Sequence, residues 1–117
     1  MKKFITLILI FLASIAWGQS DSRDINPAFN PKNFLIDVRT PSEFQYDHLK
    51  GAVNIPYNKI AEDIKYFVPD KEKTIVVYCQ SGKRSDIALK RLKEMGYKNV
   101  INAGKFKDLK KLEEEQE

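Results

Sequence analysis

The stretch "TIVVYCQSGKRSDIALKRL", Thr74–Leu92, constrains this chain more than any other. It opens on Thr74–Tyr78, a short apolar run with no polar alternation. Such a run fits a strand covered on both faces, as in a parallel sheet. A cysteine follows at once, then Gln80, Ser81 and Gly82, then two adjacent cations, Lys83 and Arg84. Ser85 opens a helix that places Ala88, Leu92 and Met95 on one face, and Gly96 stops it. Strand, tight loop and helix in this order are the building unit of an α/β fold.

The same alternation runs through the rest of the sequence. "FLIDV" (Phe34–Val38) is a second continuous apolar run, "AVNI" (Ala52–Ile55) a weaker one ended by Pro56, and "NVI" (Asn99–Ile101) a weaker one still. A further short strand is expected near Ile25. "TPSE" after the first strand sets Thr40 as N-cap, Pro41 at the first helical position and Glu43 as the reciprocal partner of a capping box. Ile60, Ile64, Phe67 and Val68 recur at helical spacing before Pro69. A last amphipathic piece runs from about Phe106 to Leu112, and the tail "KKLEEEQE" reads as a frayed, solvated helix end. The expectation is an α/β domain with a central, mostly parallel sheet of about five short strands and helices on both faces. Ligands of such sheets sit beyond the carboxyl ends of the strands, where Cys79 falls.

The start of the chain follows a different grammar. Lys2 and Lys3 precede "FITLILIFLASIAW" (Phe4–Trp17), which carries no charge, and small residues follow at Ala16 and Gly18. This is the layout of a secretory signal, cleaved after Gly18. The apolar run is short of the roughly 20 residues that span a bilayer as a helix. Residues 1–18 are thus expected to be a signal peptide, 19–23 a flexible leader and 24–117 the folded domain. The chain is expected to be exported, with no membrane attachment after cleavage. No cysteine stands near the cleavage site, which argues against a lipid anchor. The net charge of the whole chain is +4, half of it from Lys2 and Lys3, too little for a nucleic-acid partner.

One cysteine and one histidine exclude an intramolecular disulfide and leave no zinc site without several carboxylates. An exported chain with one free thiol invites a reactive role for it. In "CQSGKR" the loop N–H groups and the following helix N-terminus form an anion nest, and Lys83 and Arg84 add charge. All of these favour thiolate over thiol. Gly82 permits a tight bend. A cysteine phosphatase loop needs five residues between cysteine and arginine to wrap a tetrahedral phosphate; here four stand between Cys79 and Arg84. The smaller ring suits a smaller group, such as one terminal sulfur on the cysteine.

These segments resemble the rhodanese family of sulfurtransferases. "FLIDVRTPSEFQYDHLKGAVNIP" (Phe34–Pro56) is similar to its D-x-R, E-F/Y and G-H-I-x-G-A-x-N-I-P signature. "IVVYCQSGKRS" (Ile75–Ser85) resembles its C-x-x-G-x-R-S loop, and "LKEMGYKNVINAGKFKDL" (Leu92–Leu109) its L-x-x-x-G-Y/F-x-x-V-x-x-x-x-G segment. "DINPAFN" is similar to the family's first strand and turn. A short exported chain of this kind resembles the bacterial periplasmic thiosulfate sulfurtransferases.

The resemblance implies a rhodanese-like fold and transfer of a sulfane sulfur through a persulfide on Cys79. The donor would be a small anion such as thiosulfate and the acceptor a thiophile, cyanide in vitro. Gln80, Ser81, Gly82, Lys83 and Arg84 would bind the substrate. Asp37, Arg39 and Glu43 would brace the first strand–helix junction, with Arg39 the one that could turn toward the loop. His48 would be structural rather than a catalytic base. The resemblance implies no metal and no organic cofactor, and a monomer. Two departures stand out: Asp47 replaces the usual glycine before His48, and Lys105 the second glycine after Ala103-Gly104. The usual tryptophan a few residues later is absent. Two alternatives remain at this point, a persulfide carrier or sensor without turnover, and a cysteine phosphatase or arsenate reductase.

Overall fold

The computed structural model describes residues 26–117; the expected signal, the leader and the strand near Ile25 lie outside them. A 3-10 turn, Pro27–Phe29, leads into β1, Phe34–Asp37. Then come α1 (Pro41–Tyr46), β2 (Val53–Asn54), α2 (Ile60–Phe67) and β3 (Ile75–Cys79). The chain ends with α3 (Lys83–Glu94), β4 (Val100–Lys105) and α4 (Phe106–Gln116). The four described strands form one sheet in the order β2-β1-β3-β4, every neighbouring pair parallel.

Continuous apolar strands are needed because both faces of this sheet are covered. Ile36, Val38, Ile75, Val77 and Cys79 point to one side and pack with Ile60 and Ile64 of α2 and Ala88 and Leu92 of α3. Leu35, Val76 and Tyr78 point to the other, against Ala28, Leu49 and Leu109 of α4. Neighbouring residues on a strand face opposite sides, so each strand feeds both cores. Every residue of β3 is buried. Each buried aliphatic side chain contributes about 2 kcal/mol relative to exposure, which fixes β3 at the centre.

The helix ends follow their sequence signals. Thr40 Oγ1 accepts the Glu43 N–H at 3.2 Å and Glu43 Oε1 accepts the Thr40 N–H at 3.0 Å, closing the capping box. Helix α2 stops at Val68 before Pro69, and the Tyr97 hydroxyl donates to the Val68 carbonyl. Helix α3 ends in a Schellman turn: Gly96, at φ 99°, donates to Lys93 O at 3.0 Å, and Tyr97 N–H to Leu92 O at 3.1 Å.

Two expectations about helices change. Helix α3 begins at Lys83, not Ser85, because Gly82 at φ 94° takes the left-handed turn that starts it. The tail is not a frayed end. Helix α4 continues to Gln116 and buries Glu113, whose carboxylate accepts the Lys50 N–H at 2.8 Å and Lys110 Nζ at 3.1 Å. Lys50 Nζ also reaches Glu117 at 2.5 Å. An orphan backbone donor supplied by the chain 63 residues earlier holds the acidic end in place.

Candidate active site

Cys79 is the last residue of β3, at the carboxyl end of the sheet, and its side chain lies on the α2/α3 side. Gln80, Ser81 and Gly82 turn the chain into α3. The turn folds back over the sulfur. Gly82 N–H donates to Cys79 Sγ at 3.0 Å, and Ser85 contributes both its N–H and its Oγ–H at 3.4 Å. The sulfur sits against the first turn of α3, whose unpaired N–H groups and dipole favour negative charge. Cys79 itself is buried, while Gln80 and Ser81 above it are exposed.

Burial alone pushes the Cys79 thiol up. The Ser85 hydroxyl and the N–H groups of Ser85, Gly82 and Ser81 push it down by more, and the thiol is held below its ordinary range. The site therefore stabilises a negative sulfur with neutral donors, an oxyanion hole built for sulfur.

The loop residues expected to bind substrate divide by what the structure does with them. Gly82 aims an N–H at the sulfur. Lys83 stands exposed at the first position of α3. The Arg84 guanidinium turns to α1, where Nη1 and Nη2 bind the two oxygens of Glu43 at 2.8 and 3.0 Å. It anchors the helix carrying the loop and is not left open over the sulfur. Gln80 Oε1 lies 3.4 Å from Arg39 Nη1. Beside Gln80 opens a groove of about 560 Å³ bordered by Phe106, by Lys107, Lys110 and Lys111, and by the acids Asp108 and Glu114.

The residues expected to brace the first strand–helix junction form two sets rather than one. Asp37, fully buried, binds Arg39 through Nε at 3.0 Å and Nη2 at 2.6 Å, and accepts the Tyr78 hydroxyl at 2.8 Å. Arg39 also donates to the Asp47 carbonyl at 2.7 Å and lies over the Phe106 ring, 4.2 Å from its centre. This set belongs to the α4 side of the sheet and touches the loop only through Gln80. Glu43 is not part of it; it serves Arg84. His48 is also removed from the sulfur: its Nδ1 lies 2.8 Å from the Phe44 carbonyl and its ring stacks on Phe44 at 3.7 Å.

Neither sequence departure strains the backbone. Asp47 has φ −167° and ψ 145°, extended values open to any residue, and its carboxylate pairs with Lys110 at 3.2 Å. Lys105 has φ −94°.

Three residues that sequence reasoning passed over belong to the frame of the site. The sequence marks Ser85 as a helix start and the end of the loop motif; in the fold its hydroxyl is also a donor to the sulfur. Asn54 Nδ2 donates to the carbonyls of Asp37 and Arg39, both at 3.0 Å, tying β2 to the end of β1. Asn102 Nδ2 donates to the Gly82 carbonyl at 3.3 Å from the neighbouring strand β4. A polar residue inside the apolar strand signature "AVNI" is the signal that could have found Asn54; Asn102 lies just past the expected strand Asn99–Ile101 and carried no such signal. Among the described residues, no group of three or more His, Cys, Asp or Glu side chains is placed to hold a metal ion.

Comparison with known proteins bears on the same elements. The sequence pattern of the rhodanese-like domain matches residues 21–110. The thiosulfate sulfurtransferase PspE of Escherichia coli is 46% identical over 83 residues, covering 71% of this chain and 79% of that protein. The thiosulfate:glutathione sulfurtransferase of Saccharomyces cerevisiae is 32% identical over 96 residues, covering 73% and 69%. Among solved structures, a rhodanese with anions from Escherichia coli superposes with a TM-score of 0.63 at 47% identity, covering 65% of this chain and 89% of that one. With the family pattern matched over most of its length and its fold shared with a solved rhodanese, the chain belongs to the rhodanese family.

Proposed function

We propose that this protein is a thiosulfate sulfurtransferase working through a persulfide on Cys79. The observation that carries this is the ring of donors on one sulfur: Gly82 N–H, Ser85 N–H and Ser85 Oγ–H, all within 3.4 Å of Sγ. In the first half-reaction the Cys79 thiolate attacks the outer sulfur of thiosulfate. The new S–S bond forms as the old one breaks, and its electron pair leaves with sulfite. The persulfide keeps one negative charge on its outer sulfur, which the loop N–H groups can stabilise. In the second half-reaction a thiophile takes the outer sulfur and the thiolate returns. With cyanide the product is thiocyanate, and the two steps form a ping-pong cycle.

Lys83, exposed beside the loop, and Lys107 and Lys111, exposed along the groove next to Gln80, favour an anionic donor. The Arg84–Glu43 pair argues against phosphate chemistry, since the guanidinium that would grip a phosphoryl group is already bound in bidentate fashion. The protein acts as a monomer in the periplasm, released from a leader whose apolar run is Phe4–Trp17. No helix of the described residues is long and apolar enough to cross a membrane.

Steady-state thiosulfate:cyanide assays on the protein and on Cys79→Ser test the assignment. Thiocyanate formation by the first and none above background by the second is the expected result; equal activity in both refutes it. The burial of Cys79 favours one other assignment, a carrier that shelters its persulfide for a partner. That assignment predicts loading by thiosulfate in a single turnover with no sustained turnover.

A further inference from the structure

The Ser85 hydroxyl has one proton and two acceptors in reach. Cys79 Sγ lies 3.4 Å away and the Gly82 carbonyl 3.1 Å. Which of them receives the proton decides whether the Ser85 hydroxyl joins the Gly82 and Ser85 N–H groups as a donor to the sulfur. The carbonyl oxygen has two lone pairs. One takes the Asp86 N–H at 3.1 Å, the first backbone bond of α3. The other is contested between Ser85 and Asn102, whose Nδ2 lies 3.3 Å away.

Asn102 is built to win that contest. Val77 pairs with Asn102 but Tyr78 pairs with Gly104, so Ala103 is an extra residue and β4 bulges beside the cysteine loop. Bulges re-aim side chains; this one directs Asn102 at the loop. Its amide orientation is fixed because Oδ1 accepts the Gly104 N–H at 2.9 Å, which leaves Nδ2 as the donor facing Gly82. Gly104 also comes close to Gly82, its Cα 4.0 Å from where a Gly82 Cβ would stand. The bulge and the loop are therefore held in contact.

We propose that Asn102 is a positioning residue for Cys79: by filling the second lone pair of the Gly82 carbonyl, it turns the Ser85 hydroxyl proton onto the sulfur. Asn102 does not touch the sulfur and acts entirely through Ser85. The arrangement matters most when the sulfur is negative, as thiolate or persulfide, because a hydrogen bond to an ion is worth about twice a neutral one. The charged groups on the elements around the loop include Lys83, Arg84 and Asp86 in the first turn of α3, Glu43 of α1, Asp37 and Arg39 at the end of β1, and Lys105 at the end of β4; the Asp86 carboxylate is paired with Lys90 at 3.2 Å. None of these side chains donates to or accepts from the Ser85 hydroxyl or the Gly82 carbonyl.

The proposal is independent of turnover at its first readout and rests on the sulfurtransferase assignment only at its second. The test is a double-mutant cycle on Asn102→Leu and Ser85→Ala. The first readout is the pH midpoint of Cys79 alkylation by iodoacetamide; the second is the rate of sulfur loading from thiosulfate. Either single substitution is expected to move the midpoint upward and to slow loading about fivefold, the weight of one hydrogen bond. The double variant is expected to match Ser85→Ala alone, since Asn102 then has no proton to redirect. Asn102→Asp serves as a second variant, because it keeps the acceptor for Gly104 N–H but cannot donate. Part of its effect on the midpoint should vanish in the Ser85→Ala background. A wild-type midpoint in Asn102→Leu, or effects of Asn102 that are the same with and without the Ser85 hydroxyl, overturns the proposal. Failure of wild-type loading with the midpoint shifts intact would count against the sulfurtransferase assignment alone.

Discussion

Arg84 and Glu43, 41 residues apart, are joined by two side-chain hydrogen bonds of 2.8 and 3.0 Å. Glu43 also closes the capping box of α1. One carboxylate therefore starts the first helix and anchors the helix that carries the cysteine loop. The pair is half-buried, with side-chain exposures of 27% and 31%, so solvent screens it only in part.

Acid should loosen this clamp. The Arg84 guanidinium, opposed by burial and helped by Thr40, lowers the Glu43 carboxyl to about 2 from 4.5. A group depressed in the folded state stabilises fully above its unfolded value and loses that contribution as pH falls through the folded one. The stability difference between wild type and Glu43→Gln, measured by denaturant unfolding, is expected to be constant above pH 5 or so and to shrink as pH falls toward about 2. A difference that persists unchanged across that window would contradict the ion-pair account.

Gly82→Ala separates conformation from space. Nothing crowds a Cβ there beyond Gly104 Cα at 4.0 Å, yet φ is 94°. A left-handed alanine costs about 1–2 kcal/mol, and relief of that strain rotates the N–H away from Cys79 Sγ. Sulfur transfer is expected to fall at least tenfold while the unfolding free energy drops by about 1–2 kcal/mol. Unaltered kinetics would show that the Gly82 N–H does nothing for the sulfur.

Tyr78→Phe tests the opposite face of the sheet. The buried hydroxyl donates to Asp37 at 2.8 Å and accepts the Leu49 N–H at 3.2 Å. Its loss strands a buried donor, at a cost of about 1–3 kcal/mol in unfolding free energy. Cys79 alkylation should keep its wild-type pH midpoint, because the Asp37–Arg39–Tyr78 set makes no hydrogen bond to the sulfur. A large shift of that midpoint would mean that the two faces are coupled.

Glu113→Ala examines the acidic tail. Removing the carboxylate leaves the Lys50 N–H and Lys110 without this acceptor. Thermal and denaturant unfolding should show a loss of about 1–2 kcal/mol, with thiosulfate turnover retained. A neutral substitution would mean that the end of α4 is solvated after all.

These contrasts show where the sequence speaks and where it does not. Strands β1 and β3, the capping box at Thr40, the stop at Pro69 and the turn at Gly96 were legible because each depends on local chemistry, whereas β4, expected over Asn99–Ile101, runs Val100–Lys105. The position of Cys79 was legible for the same reason: strand, loop and helix adjoin it in sequence. Partners across the fold were not. Which cation Glu43 binds depends on how α1 meets α3, and "EEE" gives no sign that Glu113 accepts the Lys50 N–H. Asn102 lies just past the expected strand Asn99–Ile101, and a one-residue bulge, invisible to periodicity, sets its direction.

The persulfide itself is the most direct test. Incubate the purified protein with thiosulfate, remove the excess and weigh the intact chain and its peptides by mass spectrometry. One added sulfur atom on the peptide bearing Cys79, removed by cyanide with release of an equal amount of thiocyanate, is the predicted result. Unmodified Cys79 under conditions in which the protein still forms thiocyanate would contradict the account.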